Sequence, residues 1–190
     1  MIKKLIKMPK QLLLLNFLFI LISVIFSYYN GFCWITDSLS SFGTFNDFFN
    51  FSLILSGISL GVFTISVVDK SYDCFWTRIF LLLSSICLIF IGIFTERYLI
   101  HLVFAVVLFA VFPFGLFLLG RSLKGINSRL GLITKIIGIF LILLWVGFFI
   151  IWEFVFPLGL AIPEMISLFA WITWSLIFIK NFKAKPNYEN

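Results

Sequence analysis

The chain has 190 residues, of which 62% are hydrophobic and 12% are charged, and its mean hydropathy is +1.17. Soluble domains carry about 25% charged residues, so this composition excludes an ordinary soluble domain and predicts one compact membrane domain. The net charge of +6 does not indicate a nucleic-acid binder. The cations flank apolar runs, where lysine and arginine set orientation and contact anionic head groups.

Six apolar runs predict an all-α, polytopic bundle of six transmembrane helices that occupies the whole chain. The first run follows four lysines but is too long for a cleaved signal peptide and has no small-x-small cleavage site, which favours a retained signal anchor. A basic loop over 120–132 and a short apolar turn over 153–162 separate the last three spans. The predicted spans are residues 11–29, 51–68, 76–94, 99–119, 133–152 and 163–179.

The distribution of lysine and arginine predicts the orientation. An even number of spans places both termini on one side of the membrane. Thirteen of the 14 Lys and Arg residues then fall on that side, and only Arg97 falls on the other. Because cytoplasmic loops carry the excess of cations, we predict a multi-pass protein of the cell membrane with both termini in the cytoplasm.

Small residues and caps predict how the helices begin and pack. Gly57 and Gly61 form a GxxxG pair, which allows another helix backbone to approach closely. The spacing favours an internal helix contact over a dimer face. Pro113 is predicted to kink the fourth span because it removes a backbone donor and clashes with the preceding turn. Asn46 is a candidate N-cap for the second span, and Asp37 for a short helix before it.

The polar residues of the predicted outer loops form the candidate site. His101, the only histidine, is the natural proton carrier among them, and the carboxylates are suited to orient it or to bind a metal. At its depth in the membrane we predict that His101 contacts Glu153, Glu164 or Asn50 and does not face lipid. The full predicted cluster comprises Asp37, Ser40, Ser41, Asn50, Glu96, Arg97, His101, Glu153 and Glu164.

A structural interpretation of the same residues is equally direct. Glu96 and Glu164 are predicted in first helical turns, where the helix macrodipole favours a carboxylate. If the fourth helix starts near Thr95, Glu96 points about 140° away from His101, which argues against a catalytic pair on one helix. Glu153 then marks the membrane interface, and Arg97 pairs with a nearby acid.

Motifs for catalysis, cofactors and metals are absent from the sequence. There is no HExxH or GxSxG, and Cys33, Cys74 and Cys87 lack metal-ligand or CxxC spacing. We therefore predict no catalytic residue, no cofactor and no metal. The favoured interpretation is a non-catalytic protein that binds membrane lipids or another membrane protein through the outer cluster. The alternatives are a membrane hydrolase acting on a lipid or lipid-linked head group, and a small transporter or accessory subunit.

Several short motifs occur along the chain. They are Ser40-Ser41-Phe42-Gly43, Phe49-Asn50 leading to Gly57, Gly92 to Glu96 with His101, Pro113, and Glu164 followed by Trp171 or Trp174. Together they resemble a prokaryotic six-span family catalogued as domain of unknown function 998. The resemblance implies a six-helix membrane fold and no established activity. Ser41 stands where the family commonly has Asp, and Thr95 where it commonly has Pro, which argues against an acid-dependent role for the first loop.

Overall fold

The computed structural model describes residues 18–26, 28–68, 75–155 and 159–181. The described chain is helical, which confirms the predicted all-α class. Residues 18–26 are helical, a 3-10 turn covers Leu39–Ser41, and a π-helical turn covers Thr64–Val68. The α-helices are α1 (Phe42–Phe45), α2 (Asp47–Phe63), α3 (Phe75–Ile93), α4 (Leu99–Leu123), α5 (Ser128–Val155) and α6 (Ala161–Asn181).

Four of the described helices are long and apolar enough to cross a membrane, and they correspond to the last four predicted spans. They contain the segments Phe75–Ile93, Leu99–Leu123, Ser128–Ile151 and Ala161–Phe178. The second predicted span corresponds to α2, which has 17 residues and continues into the π-helical turn. Much of the first predicted span lies outside the described residues. The chain is therefore a helical membrane protein, and the count of six spans stays a prediction.

The long helices form a ring in which α2 to α6 follow one another and α6 returns to α2. Each of α3, α4 and α5 packs antiparallel against its neighbours in sequence. The residues at the start of one helix contact those at the end of the next helix. Phe63 of α2 meets the rings of Trp174 and Phe178 on α6, with centroids 5.9 and 5.0 Å away. We call the end that contains Leu39 and Glu164 the acidic end, and the opposite end the basic end.

Glycines bring α2 against α3, and α4 against α5, into close backbone contact. Gly57 and Gly61 both face α3, where Ser85 donates its hydroxyl to the Gly57 carbonyl at 2.7 Å. Pro113 lies inside α4, which stays continuous, and a Cβ placed on Gly138 of α5 would lie 2.9 Å from the Pro113 carbonyl oxygen. Such close approach favours helix association where lipid supplies no hydrophobic drive.

Helix α6 contacts its neighbours mainly through aromatic and hydroxyl side chains. Trp174 donates its indole N–H to Thr134 of α5 at 3.1 Å, and both residues are buried. The ring of Phe112 on α4 lies 5.7 Å from that of Trp171. The sequence of α6 contains no glycine, and its backbone approaches that of α5 less closely than α4 does.

Several predicted boundaries are wrong because the helices continue past the last apolar residue. The predicted basic loop over 120–132 is a turn between Leu123 and Ser128, because Asn127 accepts a hydrogen bond from the Leu130 N–H at 3.0 Å and begins α5 early. Glu153 belongs to α5 and not to a loop, and α6 begins at Ala161, before Pro163. The predicted cap at Asn46 is confirmed by its bond from the Phe49 N–H at 3.4 Å.

The contact between α2 and α3 leads to a test with two matched glycines. A Cβ on Gly57 would lie 2.6 Å from an Ile89 side-chain carbon and 2.7 Å from the Ser85 carbonyl oxygen, whereas a Cβ on Gly147 meets nothing within 4 Å. We expect Gly57→Ala to lower the free energy of unfolding by about 1–3 kcal/mol through overpacking. Gly147→Ala should raise it by up to about 1 kcal/mol, the gain in helix propensity.

Thermal unfolding of both variants in the same detergent measures this difference. An equal response at the two positions would contradict backbone contact at Gly57.

Candidate functional site

A partly enclosed cavity lies inside the ring, in the half nearer the acidic end. Its volume is about 100 Å³, and a single water occupies roughly 10–15 Å³ on this scale. The wall receives side chains from all the long helical segments and is mostly apolar. The contributors include Ile20 from the helical residues 18–26, Phe49 from α2, Leu88 from α3, Leu108 from α4, Trp145 from α5 and Leu168 from α6.

The hydroxyl groups in the cavity wall are bonded within the protein. Ser52 donates to the Phe49 carbonyl at 2.6 Å. Ser167 donates to the Pro163 carbonyl at 2.9 Å and accepts the indole N–H of Trp145 at 3.0 Å. These bonds leave a surface that is suited to hydrocarbon, since polar groups that already have partners gain little from a polar ligand.

Glu164 places one carboxyl at the acidic end of the cavity. The residue is only 7% exposed, and its Oε2 accepts the backbone N–H of Leu39 at 2.6 Å. Ser40 interacts with the same carboxyl through its backbone N–H and its hydroxyl. Ser38 occupies the N-cap of the 3-10 turn Leu39–Ser41 but makes no side-chain capping bond there. Glu164 therefore caps that turn from a helix far along the chain.

Backbone hydrogen bonds fix the same loop to the start of α6. The Gly159 N–H donates to the Ile35 carbonyl at 2.5 Å, and the Ala161 N–H donates to the Asp37 carbonyl at 3.0 Å. A Cβ on Gly159 would collide with the Asp37 backbone, so this crossing requires glycine. The Asp37 carboxylate accepts the Cys33 N–H at 2.8 Å. Asp37 thus stabilises its own turn and not the predicted short helix.

His101 is buried, as predicted, and its hydrogen bond among the described residues is to a backbone carbonyl and not to Glu164 or Asn50, so the predicted contact with Glu153 stays a prediction. The side chain is 5% exposed, and Nδ1 lies 2.6 Å from the Phe94 carbonyl oxygen. Since a carbonyl oxygen only accepts, Nδ1 carries the proton in this contact. Nε2 is buried and has no hydrogen-bond partner among the described residues. The side chain of Glu153 is not among those described.

Glu96 and Arg97 lie on the exposed turn that precedes α4. Helix α4 begins at Leu99, so the prediction that Glu96 occupies a first helical turn is wrong. The Tyr98 N–H donates to the Thr95 carbonyl at 3.0 Å and closes this turn. The Glu96 carboxylate is near enough to Glu164 for electrostatic repulsion between them. Glu96 therefore approaches the predicted cluster from outside the cavity.

The loop residues Ser41 and Asn50 bond to nearby backbone. Ser41 donates its hydroxyl to the Ser38 carbonyl at 2.7 Å. Asn50 donates its side-chain amide N–H to the Gly43 carbonyl at 3.0 Å. The backbone carbonyl of Asn50 lies against Gly92 of α3. These contacts hold α1 against the start of α2, and the start of α2 against the end of α3. Of the predicted cluster members whose side chains the structure describes, Ser40 and Glu164 alone line the cavity.

Several wall residues were not predicted as part of the site. Ser167, Leu168 and Trp171 follow Glu164 at helical spacing and share its face of α6. That stripe was visible in the sequence, but an apolar stripe with one serine is also typical of ordinary helix packing. Trp145 gives no local signal, because its role depends on Ser167 of the neighbouring helix α6.

The described residues contain no group of three His, Cys, Asp or Glu side chains positioned to hold a metal ion. Chemically, the cavity offers an apolar volume that ends at one buried carboxyl. Comparison with protein-family models, with curated proteins and with solved structures finds no match to this chain.

The capping role of Glu164 can be tested by comparing a truncated variant with an isosteric one. Glu164→Ala should leave the buried Leu39 N–H without an acceptor and lower the free energy of unfolding by about 1–3 kcal/mol. Glu164→Gln keeps an oxygen that can accept this bond and should retain most of the stability. Thermal unfolding in detergent measures both. Similar losses for Ala and Gln would show that charge, and not capping, is what Glu164 contributes.

Proposed function

We propose that this protein is a non-catalytic, six-span protein of the cell membrane that binds the acyl chain of a membrane lipid in its central cavity. The observation that carries the proposal is the apolar wall contributed by all the long helical segments, with Glu164 and Ser40 at its acidic end. Apolar cavities stay dry and take up apolar molecules when these can enter. In a membrane, acyl chains surround the protein and are the most abundant such molecules.

The position of the polar groups supports the proposal that the ligand is an acyl chain with a polar head group and not a purely apolar molecule. A lipid whose chain lies along Leu108 and Phe112 would reach Glu164 and Ser40 at the acidic end. A carboxyl and a hydroxyl are suited to bond hydroxyl or amide groups of a lipid head. The chain is therefore held by burial of apolar surface, and the polar end fixes its direction.

Binding fits the geometry better than hydrolysis. A serine nucleophile requires a base within hydrogen-bond reach. Among the described residues, Ser41 bonds to a backbone carbonyl, and His101 directs Nδ1 to the Phe94 carbonyl. Ser40 interacts with Glu164, but that carboxylate is already engaged by the Leu39 N–H. The polar groups near the cavity thus hold the loop in place, which supports a binding role.

The proposal includes the orientation and the family resemblance. The described Arg121, Lys124, Arg129 and Lys180 lie at the basic end, which favours a cytoplasmic basic end and an external acidic end.

We also carry forward the proposed resemblance to the family of domain of unknown function 998. It is supported by Asn50, which bonds to the Gly43 carbonyl and places its backbone carbonyl against Gly92, since these three residues belong to its short motifs.

Two alanines of α4 provide a test of cavity binding. Ala105 lines the cavity, whereas Ala110 is exposed on the same helix. The probe is a fatty acid that carries a photoreactive diazirine on its chain, and mass spectrometry locates the cross-links. We expect saturable cross-links to wall-forming peptides of α4 and α6. Ala105→Phe should lower this labelling about tenfold, equivalent to about 1.4 kcal/mol of binding free energy, because the ring occupies the cavity.

Ala110→Phe adds the same ring to the outer surface and should leave the saturable labelling unchanged. Thermal unfolding of both variants checks that they fold. Labelling that does not saturate, or that falls equally in both variants, would refute a cavity-bound chain.

The orientation is tested by thiol labelling on intact cells. Cys33 is exposed at the acidic end, and the hydrogen bond from the Thr36 side chain, with backbone bonds at Ile35 and Thr36, lowers the pKa of its thiol. A lowered pKa enlarges the reactive thiolate fraction at neutral pH, and labelling should decline only as the pH falls below that pKa. An impermeant maleimide should therefore label Cys33 from outside.

The matched variant is Gly125→Cys in a chain that lacks Cys33 and Cys74. Gly125 lies in an exposed turn at the basic end with nothing near its Cβ position, so the substitution should be tolerated. Its thiol should react only after the cells are lysed. Labelling of the Gly125→Cys variant on intact cells, together with labelling of Cys33 in the unsubstituted chain only after lysis, would contradict the proposed orientation.

A further inference from the structure

A second pocket lies at the basic end, between the start of α5 and the end of α6, and is separate from the central cavity. Its volume is about 440 Å³. One rim is polar, because Asn127 donates its amide to the Asn181 carbonyl at 3.4 Å and links the two helix ends. The pocket therefore has a defined frame built from two helices.

The charge of this pocket is positive. Arg129 from α5 and Lys180 from α6 line it and are both exposed, and no acidic side chain lines it in the described part of the chain. The first turn of α5 adds the positive end of its macrodipole, and Lys180 offsets the negative end of α6. An arginine fork and a lysine ammonium on opposite walls are suited to a phosphate group.

The other wall of the pocket is apolar. Leu130, Ile133, Leu176 and Ile177 line it, and Leu176 is 49% exposed. These residues lie on helices that run into the apolar spans, so a molecule whose phosphate meets the cations can lay its chains along this wall. A soluble phosphate would leave the apolar wall unused. The cations and the apolar wall together match an anionic phospholipid.

We propose that this pocket binds the phosphate and adjoining chains of an anionic phospholipid. The site goes beyond the acyl-chain cavity and does not depend on it, because no wall residue is shared between the two. It would bind a lipid of the leaflet that contacts the basic end. Arg129 would contact the phosphate bidentately, Lys180 would add a point charge, and Asn127 would supply an amide donor.

The test compares two lipids with identical chains, phosphatidylglycerol and phosphatidylcholine, by native mass spectrometry of the full-length protein titrated in detergent. The wild type should retain phosphatidylglycerol in preference to phosphatidylcholine. Arg129→Gln with Lys180→Gln should weaken phosphatidylglycerol binding roughly 30-fold, about fivefold for each cation. Binding of the diazirine fatty acid in the central cavity should be unchanged, so failure here is distinguishable from failure of the acyl-chain proposal.

The matched control is Arg121→Gln with Lys124→Gln, which removes the same charge from the same end, outside the pocket. It should change binding by less than threefold. An equal loss in both double variants would replace the pocket with a diffuse basic surface. Equal retention of the two lipids would overturn the proposal. Competition by millimolar inorganic phosphate, without dependence on lipid chains, would also overturn it and assign a soluble anion to the site.

Discussion

Every backbone donor and acceptor buried in the membrane must find a partner inside the chain, and this constraint explains the acidic end of the protein. Within the helices the requirement is met locally. The loop that crosses the ring cannot meet it alone, so the Leu39 N–H bonds to the Glu164 carboxyl at 2.6 Å. The Gly159 and Ala161 N–H groups, which precede or open α6, bond to loop carbonyls. The loop and the first turn of α6 thereby supply each other's missing partners, and the end of the ring is closed.

The cavity follows from an unequal distribution of glycine around the ring. Glycines let α2 approach α3, and α4 approach α5, until backbone atoms come close, as at Gly57 and Gly138. Helix α6 has none, and its contacts are rings and hydroxyls such as Trp174 with Thr134. The distance between packed helices depends on the side chains at their contact, so large side chains hold a helix further away. The volume beside Trp171 and Leu168 is the result, and its wall is apolar because the residues that face it are those of a membrane core.

Hydropathy predicted most of the helices, but it could not predict their ends or the pairing of the site. The apolar pattern stops at the first cation, whereas a helix continues until a cap ends it, as Asn127 shows at the start of α5. Glu164 and Ser40 were both predicted as site residues. Their contact joins positions more than 120 residues apart and leaves no periodic trace in the sequence. The partner of His101 is a backbone carbonyl, a group that every residue carries, so residue types alone cannot reveal it.

The two ends of the ring differ in how their polar groups are used. At one end they stabilise the fold, and at the other they are available to a ligand. At the acidic end, Asp37, Ser41 and Asn50 each bond to nearby backbone, so these side chains are largely committed to holding the loop. At the basic end, no acidic side chain among the described residues lines the pocket of Arg129 and Lys180. A polar group already bonded inside the protein has little to offer a ligand, whereas a cation beside an apolar wall gains from an anion of the membrane surface. The acidic cluster that the sequence singles out is thus mainly scaffold around an apolar cavity. The cations, which the sequence assigns to orientation and to general contact with anionic head groups, line the pocket that we propose as a phospholipid site.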